Sequence, residues 1–277
     1  MSAAPQGELL DQARPAVLFV ALQTGAMANG GIASIGEVIA NLRQFRPVVL
    51  TNMESPVTAS WRALGIPVHI CPEQASQGIR NAPLASLRTY ARYFVTVRRI
   101  LVREGVRIVH ANDPLAFQLA LAAVRSVAGA KIVLNIRGTF GEGLDPTIRK
   151  YKFLFDSADR VLMLSQDMIA RWISLVPLNK NKFIYTYSIV DSNKFLATKV
   201  SIHGRRTVLI SGIASKNKGQ LYFLQNIAPI LAKCGIRAVF CGDFDPTENA
   251  YAAECLRVAE PLGGWVEFLG YSKDMPN

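Results

Sequence analysis

Residues 16–42 read AVLFVALQTGAMANGGIASIGEVIANL, and this stretch decides the fold class. The apolar run at 16–22 predicts a buried strand, and the apolar residues after the paired glycines Gly30 and Gly31 recur at helical spacing. A glycine-rich loop before a helix lets an anion approach the unpaired N–H groups of the first helical turn. The stretch matches neither the dinucleotide fingerprint nor the P-loop pattern. An ordinary sharp turn and a phosphate-binding loop therefore both remain open.

The rest of the chain repeats this alternation of strand and helix. The predicted strands are residues 16–22, 47–51, 67–71, 106–111, 131–136, 160–164, 182–187, 207–211, 237–241 and 266–269. The predicted helices are residues 32–44, 84–104, 115–127, 166–175, 220–233 and 249–261. Buried apolar strands linked by helices predict parallel sheets, in which ligands bind outside the carboxyl ends of the strands.

The alternation is interrupted at residues 189–206, which are polar and lack a clear period. The sequence therefore predicts an α/β protein with two Rossmann-like, doubly wound parallel-sheet domains, at residues 1–195 and 196–277. The first domain has about seven predicted strands and the second has three. An open doubly wound sheet usually has about five or six strands, so we expect the second domain to be incomplete.

Composition limits the classes of function. The chain has 277 residues, of which 50% are hydrophobic, and a formal net charge of +11. The charge predicts an anionic partner, such as nucleotide phosphates or an acidic membrane surface, and the absence of any known module signature argues against nucleic acid. The four cysteines lack metal-ligand spacing, and the amino terminus lacks the basic region of a secretory signal. We expect a cytoplasmic protein with free thiols.

The second domain opens with VLISGIASKNKG, residues 208–219. A predicted strand ends at Gly212, and the loop behind it carries Lys216 and Lys218 before the next helix. A lysine at the carboxyl end of a parallel strand can meet a diphosphate as a point charge. A solvated, lysine-rich loop is the alternative. The phosphate-binding interpretation gains weight because Gly30 and Gly31 are predicted to lie at the same edge of their own sheet.

The ordered set of segments resembles the GT-B glycosyltransferases of family 4, whose two Rossmann-like domains face each other across a cleft. SGIASKNKG aligns without a gap with the family pattern G-R-L-x-x-x-K-G, and WVEFLGY resembles V-x-F-x-G. The other similar segments are ANGGIASIGEVIANL (28–42), VRIVHANDPLAFQLALA (106–122), KIVLNIRGTF (131–140), SADRVLMLSQDMIARW (157–172) and YSIVDSNKF (187–195).

This resemblance implies transfer of a sugar from a nucleotide-diphosphate donor to a saccharide or lipid-linked acceptor. It also implies retention at the anomeric carbon and no metal or other cofactor. Lys218 matches the family lysine that binds the donor diphosphate, and Lys216 and Gly212 lie beside it in the same motif. Gly30 and Gly31 would bring backbone N–H groups to the phosphates.

Two departures from the family pattern weaken the implied activity. Ile213 stands where the family has an arginine, which removes a bidentate phosphate contact. The family's pair of glutamates downstream of V-x-F-x-G would fall beyond Asn277, so we expect a fragment with little or no transferase activity. A catalytically inactive nucleotide-binding or scaffolding subunit of the same fold is the alternative.

Further candidates follow predicted strands of the first domain. His110 and Arg137 stand at strand ends and are candidate catalytic residues, and Asn112 and Asp113 are candidates for the acceptor side. A guanidinium at a strand end loses solvation unless an anion meets it. For His110 the alternative is a partly buried structural imidazole. For Asp113, ahead of Pro114, the alternative is a helix N-cap.

In the second domain Gly242, Asp243 and Glu267 are candidates for the vicinity of the nucleotide. GDFDP, residues 242–246, contains a D-x-D pattern that other glycosyltransferases use to hold a metal, but Asp and Pro are also common turn residues, and we predict a turn. Glu267 could equally occupy an exposed strand position.

The segment at 84–105 is predicted to be an amphipathic helix. Its interpretation as a helix packed on a sheet places the apolar residues in one stripe, with the arginines largely elsewhere. The predicted stripe consists of Leu84, Leu87, Tyr90, Ala91, Phe94, Val97 and Leu101. Its five arginines and two tyrosines could also rest on an anionic membrane surface. Both interpretations remain open.

Overall fold

The computed structural model describes residues 14–23, 30–72, 83–137, 145–189 and 206–271. The chain divides into two compact units, Met1–Asp191 and Ser192–Asn277, each with a parallel sheet of its own. The predicted domain boundary near residue 195 lies outside the described residues. The two sheets confirm the predicted α/β architecture.

Unit 1 has a seven-stranded sheet in the order β3-β2-β1-β4-β5-β6-β7. Its strands are β1 (Ala16–Val20), β2 (Arg46–Thr51), β3 (Val68–Ile70), β4 (Ile108–Ala111), β5 (Lys131–Ile136), β6 (Arg160–Met163) and β7 (Phe183–Tyr185). Its helices are α1 (Gly30–Asn41), α2 (Pro56–Ala63), α3 (Pro83–Arg103), α4 (Pro114–Arg125), α5 (Asp145–Ser157) and α6 (Gln166–Leu175). A short 3₁₀ helix, Lys180–Lys182, precedes β7.

Unit 2 has a three-stranded parallel sheet in the order β10-β9-β8. Its strands are β8 (Thr207–Ser211), β9 (Arg237–Cys241) and β10 (Val266–Gly270), and its α-helices are α7 (Gln220–Asn226), α8 (Ala228–Lys233) and α9 (Ala250–Ala259). Two 3₁₀ helices, Lys216–Lys218 and Glu260–Trp265, complete the described part.

Strand β1 organises unit 1 because it pairs in parallel with β2 on one side and with β4 on the other. Every residue of β1 is buried. Its alternate side chains serve two cores: Val17 and Phe19 pack with α1 and Trp61 of α2, while Leu18 and Val20 join the larger core that contains Tyr93 and Phe117. Two covered faces explain why this strand is a continuous apolar run.

Three helices differ from their predictions. The sequence analysis missed α2 and α5, which are short or strongly charged and offer few apolar positions for a periodic pattern. The single helix predicted at 220–233 is divided at Ile227 into α7 and α8. Pro229 explains the break, since proline lacks an N–H and its ring clashes with the carbonyl four residues earlier.

Helix α3 confirms one part of its predicted buried stripe and contradicts another. Val97 and Leu101 are buried as predicted, whereas Leu84 and Leu87 are exposed. Tyr93, which is not in the predicted stripe, is fully buried, and its hydroxyl donates a hydrogen bond to the Cys71 carbonyl at 2.8 Å. The buried face is therefore shifted toward Tyr93 from the face that hydrophobicity alone predicts.

We expect Tyr93→Phe to lower the free energy of unfolding by about 1–2 kcal/mol, because the buried Cys71 carbonyl loses its hydroxyl donor. Urea unfolding followed by circular dichroism measures the change. Tyr222→Phe, at an exposed tyrosine of α7, is the matched control and should unfold like the wild type. Equal stability of Tyr93→Phe and the wild type would contradict this role for the hydroxyl.

Candidate active site

The carboxyl edge of the unit 1 sheet contains a winding reversal between β1 and β4. From β1 the chain proceeds outward to β2 and β3, and it then returns to place β4 on the other side of β1. Loops leave such neighbouring strands in opposite directions and open a crevice, where ligands bind in doubly wound folds. The structure places the predicted residues His110, Asn112 and Asp113 at the end of β4 and Arg137 directly after β5.

His110 is a neutral, partly buried imidazole on β4. Its ring packs against Phe19 of β1 with ring centroids 5.2 Å apart, and its Nδ1 atom is buried without a partner among the described residues. Burial, together with the weaker effect of the positive charge of Arg137, lowers the pKa of His110 to about 4, although a hydrogen bond with the histidine's own backbone opposes this shift. The imidazole is thus uncharged at neutral pH and can exchange a proton.

Arg137 is half-buried one residue beyond β5. Burial lowers its pKa from the ordinary value. No ion pair joins Arg137 to a carboxylate within the described ranges, although burying a guanidinium costs solvation. The cost of burying this guanidinium therefore still favours an anion beside Arg137, as the sequence predicts.

Three buried side-chain amides at this edge have carbonyl oxygens without a hydrogen-bond partner in the described part of the chain. They belong to Gln23, after β1, to Asn112, after β4, and to Asn135, in β5. A buried acceptor without a donor costs about 1–3 kcal/mol. Such acceptors are suited to the hydroxyl groups of a bound ligand, and the sequence analysis identified only Asn112.

Asn52 fixes the backbone where it leaves β1. Its side-chain Nδ2 donates to the Gln23 carbonyl at 2.9 Å, and the Gln23 N–H donates to its Oδ1 at 2.7 Å. The Gln23 side chain in turn donates to Thr51 Oγ1 at 3.1 Å. The chain therefore enters the segment before α1 in one defined orientation.

Asp113 is the N-cap of α4, which confirms the capping interpretation. Its Oδ1 accepts from the N–H groups of Leu115 and Ala116, both at 2.8 Å. Burial raises the pKa of Asp113 despite these bonds. Tyr151 of α5 lies close enough for the charge of Asp113, together with burial, to raise the pKa of its hydroxyl. A role for Asp113 toward an acceptor stays a prediction.

Gly30 and Gly31 lie in the first described turn of α1, not in a loop before the helix as predicted. Neither glycine has a positive φ, so the backbone conformation does not require glycine at either position. A Cβ on Gly30 would meet no described atom within 4 Å.

The protein should lose stability on acidification in a way that depends on His110. The unfolded chain binds a proton at this histidine below pH about 6.5, whereas the folded protein binds it only near pH 4, so stability falls as the pH drops through this window. In His110→Gln this loss should shrink, by at most about 3 kcal/mol. Urea unfolding at pH 7.5 and 4.5 measures both proteins.

His69, whose pKa is also lowered by burial, contributes equally to wild type and variant and cancels in the comparison. The same pH dependence for both proteins would show that His110 does not resist protonation.

In unit 2 the ends of the three strands are tied together by backbone hydrogen bonds. The Gly212 N–H donates to Cys241 O at 2.8 Å, and the Gly242 N–H donates to Gly270 O at 2.9 Å. A Cβ on Gly242 would lie 2.0 Å from Gly212 O, so no other residue fits there. Gly212 has φ +133°, which L side chains rarely adopt. The close approach of two strand ends therefore requires glycine at position 242, and the positive φ favours glycine at position 212.

Lys216 and Lys218 lie in the 3₁₀ helix that follows β8 and are exposed. The Cδ and Cε atoms of Lys218 lie 3.9 Å from the position of a Cβ on Gly212, so its side chain runs along the carboxyl end of β8. Neither lysine forms an ion pair within the described ranges. Ile213, at the position of the family arginine, is 61% exposed.

Two side-chain amides that the sequence analysis missed, the buried Gln220 and the half-buried Asn249, hold the loop between β8 and these lysines. Gln220, almost fully buried, donates from Nε2 to Ile213 O at 2.9 Å and accepts at Oε1 from the Ser215 N–H at 3.4 Å. Asn249 donates from Nδ2 to Ala214 O at 2.9 Å. The loop conformation is thus set by side chains from outside the loop.

The GDFDP segment is a turn, as predicted. Asp243 Oδ1 accepts from the Asp245 N–H at 3.1 Å, and Asp245 Oδ1 accepts from the Thr247 N–H at 2.8 Å. Among the described residues no three His, Cys, Asp or Glu side chains are arranged to hold a metal ion. The Asp243 carbonyl accepts from the Ala214 N–H, which joins this turn to the lysine loop.

Glu267 does not join these residues. It lies near the start of β10 and pairs with Arg237, the first residue of β9, at 2.9 Å. These positions belong to the amino ends of the strands, away from the edge where Gly212 and Gly242 meet. The alternative of a strand position, which the sequence left open for Glu267, agrees with this placement and with its partly exposed side chain.

Gly242→Ala should lower the free energy of unfolding by about 3 kcal/mol or more, because its methyl group has no room beside Gly212 O. Thermal unfolding measures the change. Gly264→Ala is the matched control, since its Cβ would meet no described atom within 4 Å. A Gly242→Ala protein as stable as Gly264→Ala would refute the close approach.

The chain is similar to known glycosyltransferases. The profile of the family described as Glycosyl transferase 4-like domain matches residues 29–180, more than half of the chain. No curated protein matches.

Several solved structures share the fold. Anabaena Alr3699/HepE, in complex with UDP and glucose, has a TM-score of 0.71 at 20% identity over 95% of this chain and 71% of that chain. A glycosyltransferase from Rickettsia africae ESF-5 has a TM-score of 0.72 at 13% identity over 95% of this chain and 70% of that chain. The lipopolysaccharide outer core galactosyltransferase WaaB, in its apo form, has a TM-score of 0.61 at 15% identity, covering 93% and 68%.

Proposed function

Because the chain belongs to the glycosyl transferase 4-like domain family, we propose that it transfers a sugar from a nucleotide-diphosphate donor to a saccharide or lipid-linked acceptor. Unit 2 binds the diphosphate of the donor, and the carboxyl edge of unit 1 serves the acceptor and the transfer. The sugar is transferred with retention and without a metal. The similarity to a protein whose structure contains UDP and glucose supports this class of donor. A cytoplasmic location and a role in polysaccharide or glycolipid assembly belong to the same proposal.

The position of Lys218 carries the proposal. Its side chain runs along Gly212 at the end of β8, where the adjoining strand ends bear no bulky side chain, so a phosphate can approach both the backbone and the ammonium group. Lys216 adds a second positive charge in the same turn. Negative charge develops on the leaving diphosphate during transfer, and a lysine fixed in advance stabilises it.

The edge of unit 1 supplies a different chemistry. The neutral His110 can accept or return a proton, and Arg137 beside it can meet an anionic group. The unpartnered amide oxygens of Asn112 and Asn135 can accept from sugar hydroxyls. Gly30 and Gly31, in the first described turn of α1, offer N–H groups to phosphate or acceptor.

Calorimetric titration with UDP, GDP and ADP tests the donor site. We expect the wild type to bind at least one of them and Lys218→Ala to bind it about tenfold more weakly or worse, because an ionic hydrogen bond is worth about 1.5–3 kcal/mol. Lys233→Ala, at the far end of α8, removes an exposed lysine of the same unit and should bind like the wild type. Failure of the wild type to bind any nucleoside diphosphate would contradict the proposal.

A catalytically inactive nucleotide-binding or scaffolding subunit is the second candidate, and one observation favours it. The exposed Ile213 occupies the position of the family arginine, so the loop lacks a bidentate phosphate contact. Nucleotide binding without release of nucleoside diphosphate from any nucleotide sugar would support this candidate. Release of a nucleoside diphosphate coupled to an acceptor would exclude it.

A further inference from the structure

Helix α3 presents to solvent a face that is both apolar and strongly basic. The exposed fractions are 72% for Leu84, 66% for Leu87, 53% for Val95 and 64% for Val102. Leu84, Val95 and Val102 are separated by eleven and seven residues, so they lie on one line along the helix. At about 1.5 Å per residue this strip is about 27 Å long.

Arginines flank the strip on both sides. The helix contains no acidic residue, and its five arginines are Arg88, Arg92, Arg98, Arg99 and Arg103, all of them exposed. Only Arg92 has an assigned hydrogen bond in the described part of the chain, to the Pro72 carbonyl at 3.2 Å. An open groove of about 410 Å³ beside the strip is lined by Phe94, Val95, Arg98, Arg99, Val102 and Arg103.

We propose that this face of α3, the exposed aliphatic strip with its five arginines, is a docking surface for an anionic lipid membrane. The arginines match the negative headgroups, and their aliphatic stems with the leucines and valines enter the boundary between headgroups and acyl chains. Among the described helices none is long and apolar enough to cross a membrane, so the attachment proposed here is to the surface.

Charge complementarity favours an anionic membrane over a second copy of the chain as the partner of this surface. A two-fold interface brings the same patch of both copies together, so five arginines would face five arginines on helices without a carboxylate. Aliphatic residues in the middle of the strip distinguish the surface from an ordinary solvated basic helix.

Vesicle co-sedimentation tests the surface. The protein should bind phosphatidylcholine vesicles that contain about one third phosphatidylglycerol, and it should be released by about 0.5 M salt, because screening weakens the attraction. Pure phosphatidylcholine should bind at least about tenfold less. Arg98→Gln/Arg99→Gln should lower binding to the anionic vesicles about tenfold or more, at about 1 kcal/mol per arginine. Val95→Ser/Val102→Ser should lower it without changing the net charge.

Arg160→Gln/Arg171→Gln is the matched control, since it removes two exposed arginines of unit 1 that lie outside α3. It should bind as the wild type does. Circular dichroism must show that every variant is folded. Equal binding of neutral and anionic vesicles, or equal loss in both double arginine variants, would overturn the proposal. Salt-sensitive binding to duplex DNA with none to anionic vesicles would overturn it in favour of nucleic acid.

Separate experiments can refute the proposed membrane-docking surface and the proposed transferase activity. Vesicle binding requires neither donor nor acceptor, and calorimetry with nucleoside diphosphates requires no lipid. A protein that binds nucleotide but no vesicle keeps the proposed function and loses this surface.

Discussion

Parallel pairing of β1 with strands on both of its sides is the constraint on which unit 1 depends. A strand hydrogen-bonded at both edges and covered on both faces must be apolar throughout, and β1 is buried at every position. The same pairing forces the winding of the chain to reverse at β1. That reversal opens the carboxyl edge, and it brings side chains from β1, β4 and β5 to one place although more than 100 residues separate Gln23 from Asn135 along the chain.

The carboxyl edges of the two sheets differ in their polar groups and side chains. Unit 1 tolerates unpaired polar groups: a neutral histidine and three amide oxygens are buried there without described partners. In unit 2, backbone hydrogen bonds join the strand ends, and Gly212 and Gly242 leave those ends without side chains. The first arrangement suits recognition of hydroxyl groups in a defined orientation, and the second suits the close approach of a phosphate to backbone and lysine.

Sequence alone was sufficient for the strands, because a buried parallel strand must be a short apolar run and little else satisfies that requirement. The sequence places Gly242 at a strand end, but it cannot show that a Cβ at this position would lie 2.0 Å from the Gly212 carbonyl oxygen. Hydrophobicity predicts the burial of Val97 and Leu101 in α3 but not that of Tyr93. A tyrosine is amphipathic, and its burial depends on a hydrogen-bond partner, the Cys71 carbonyl, that the sequence does not reveal.

Two of the three buried amides at the carboxyl edge of unit 1 escaped prediction. Gln23 and Asn135 were visible only as polar residues beside apolar runs, a signal that identifies a buried amide without giving its role. Glu267 stands three residues before Gly270 in the sequence, but it pairs with Arg237 at the other end of the strands. Register along a strand separates residues that a motif presents as neighbours.

The clamp formed by Gln220 and Asn249 has a consequence for how this protein can change. Both amides lie outside the loop, and the groups that they bind within it are backbone groups, at Ile213, Ala214 and Ser215. These bonds therefore do not depend on the loop's exposed side chains. Residues there can be exchanged during evolution, or by an engineer, while the scaffold stays constant. The isoleucine at position 213 is such an exchangeable position, so an arginine could be introduced there to recast the charge of the loop without rebuilding it.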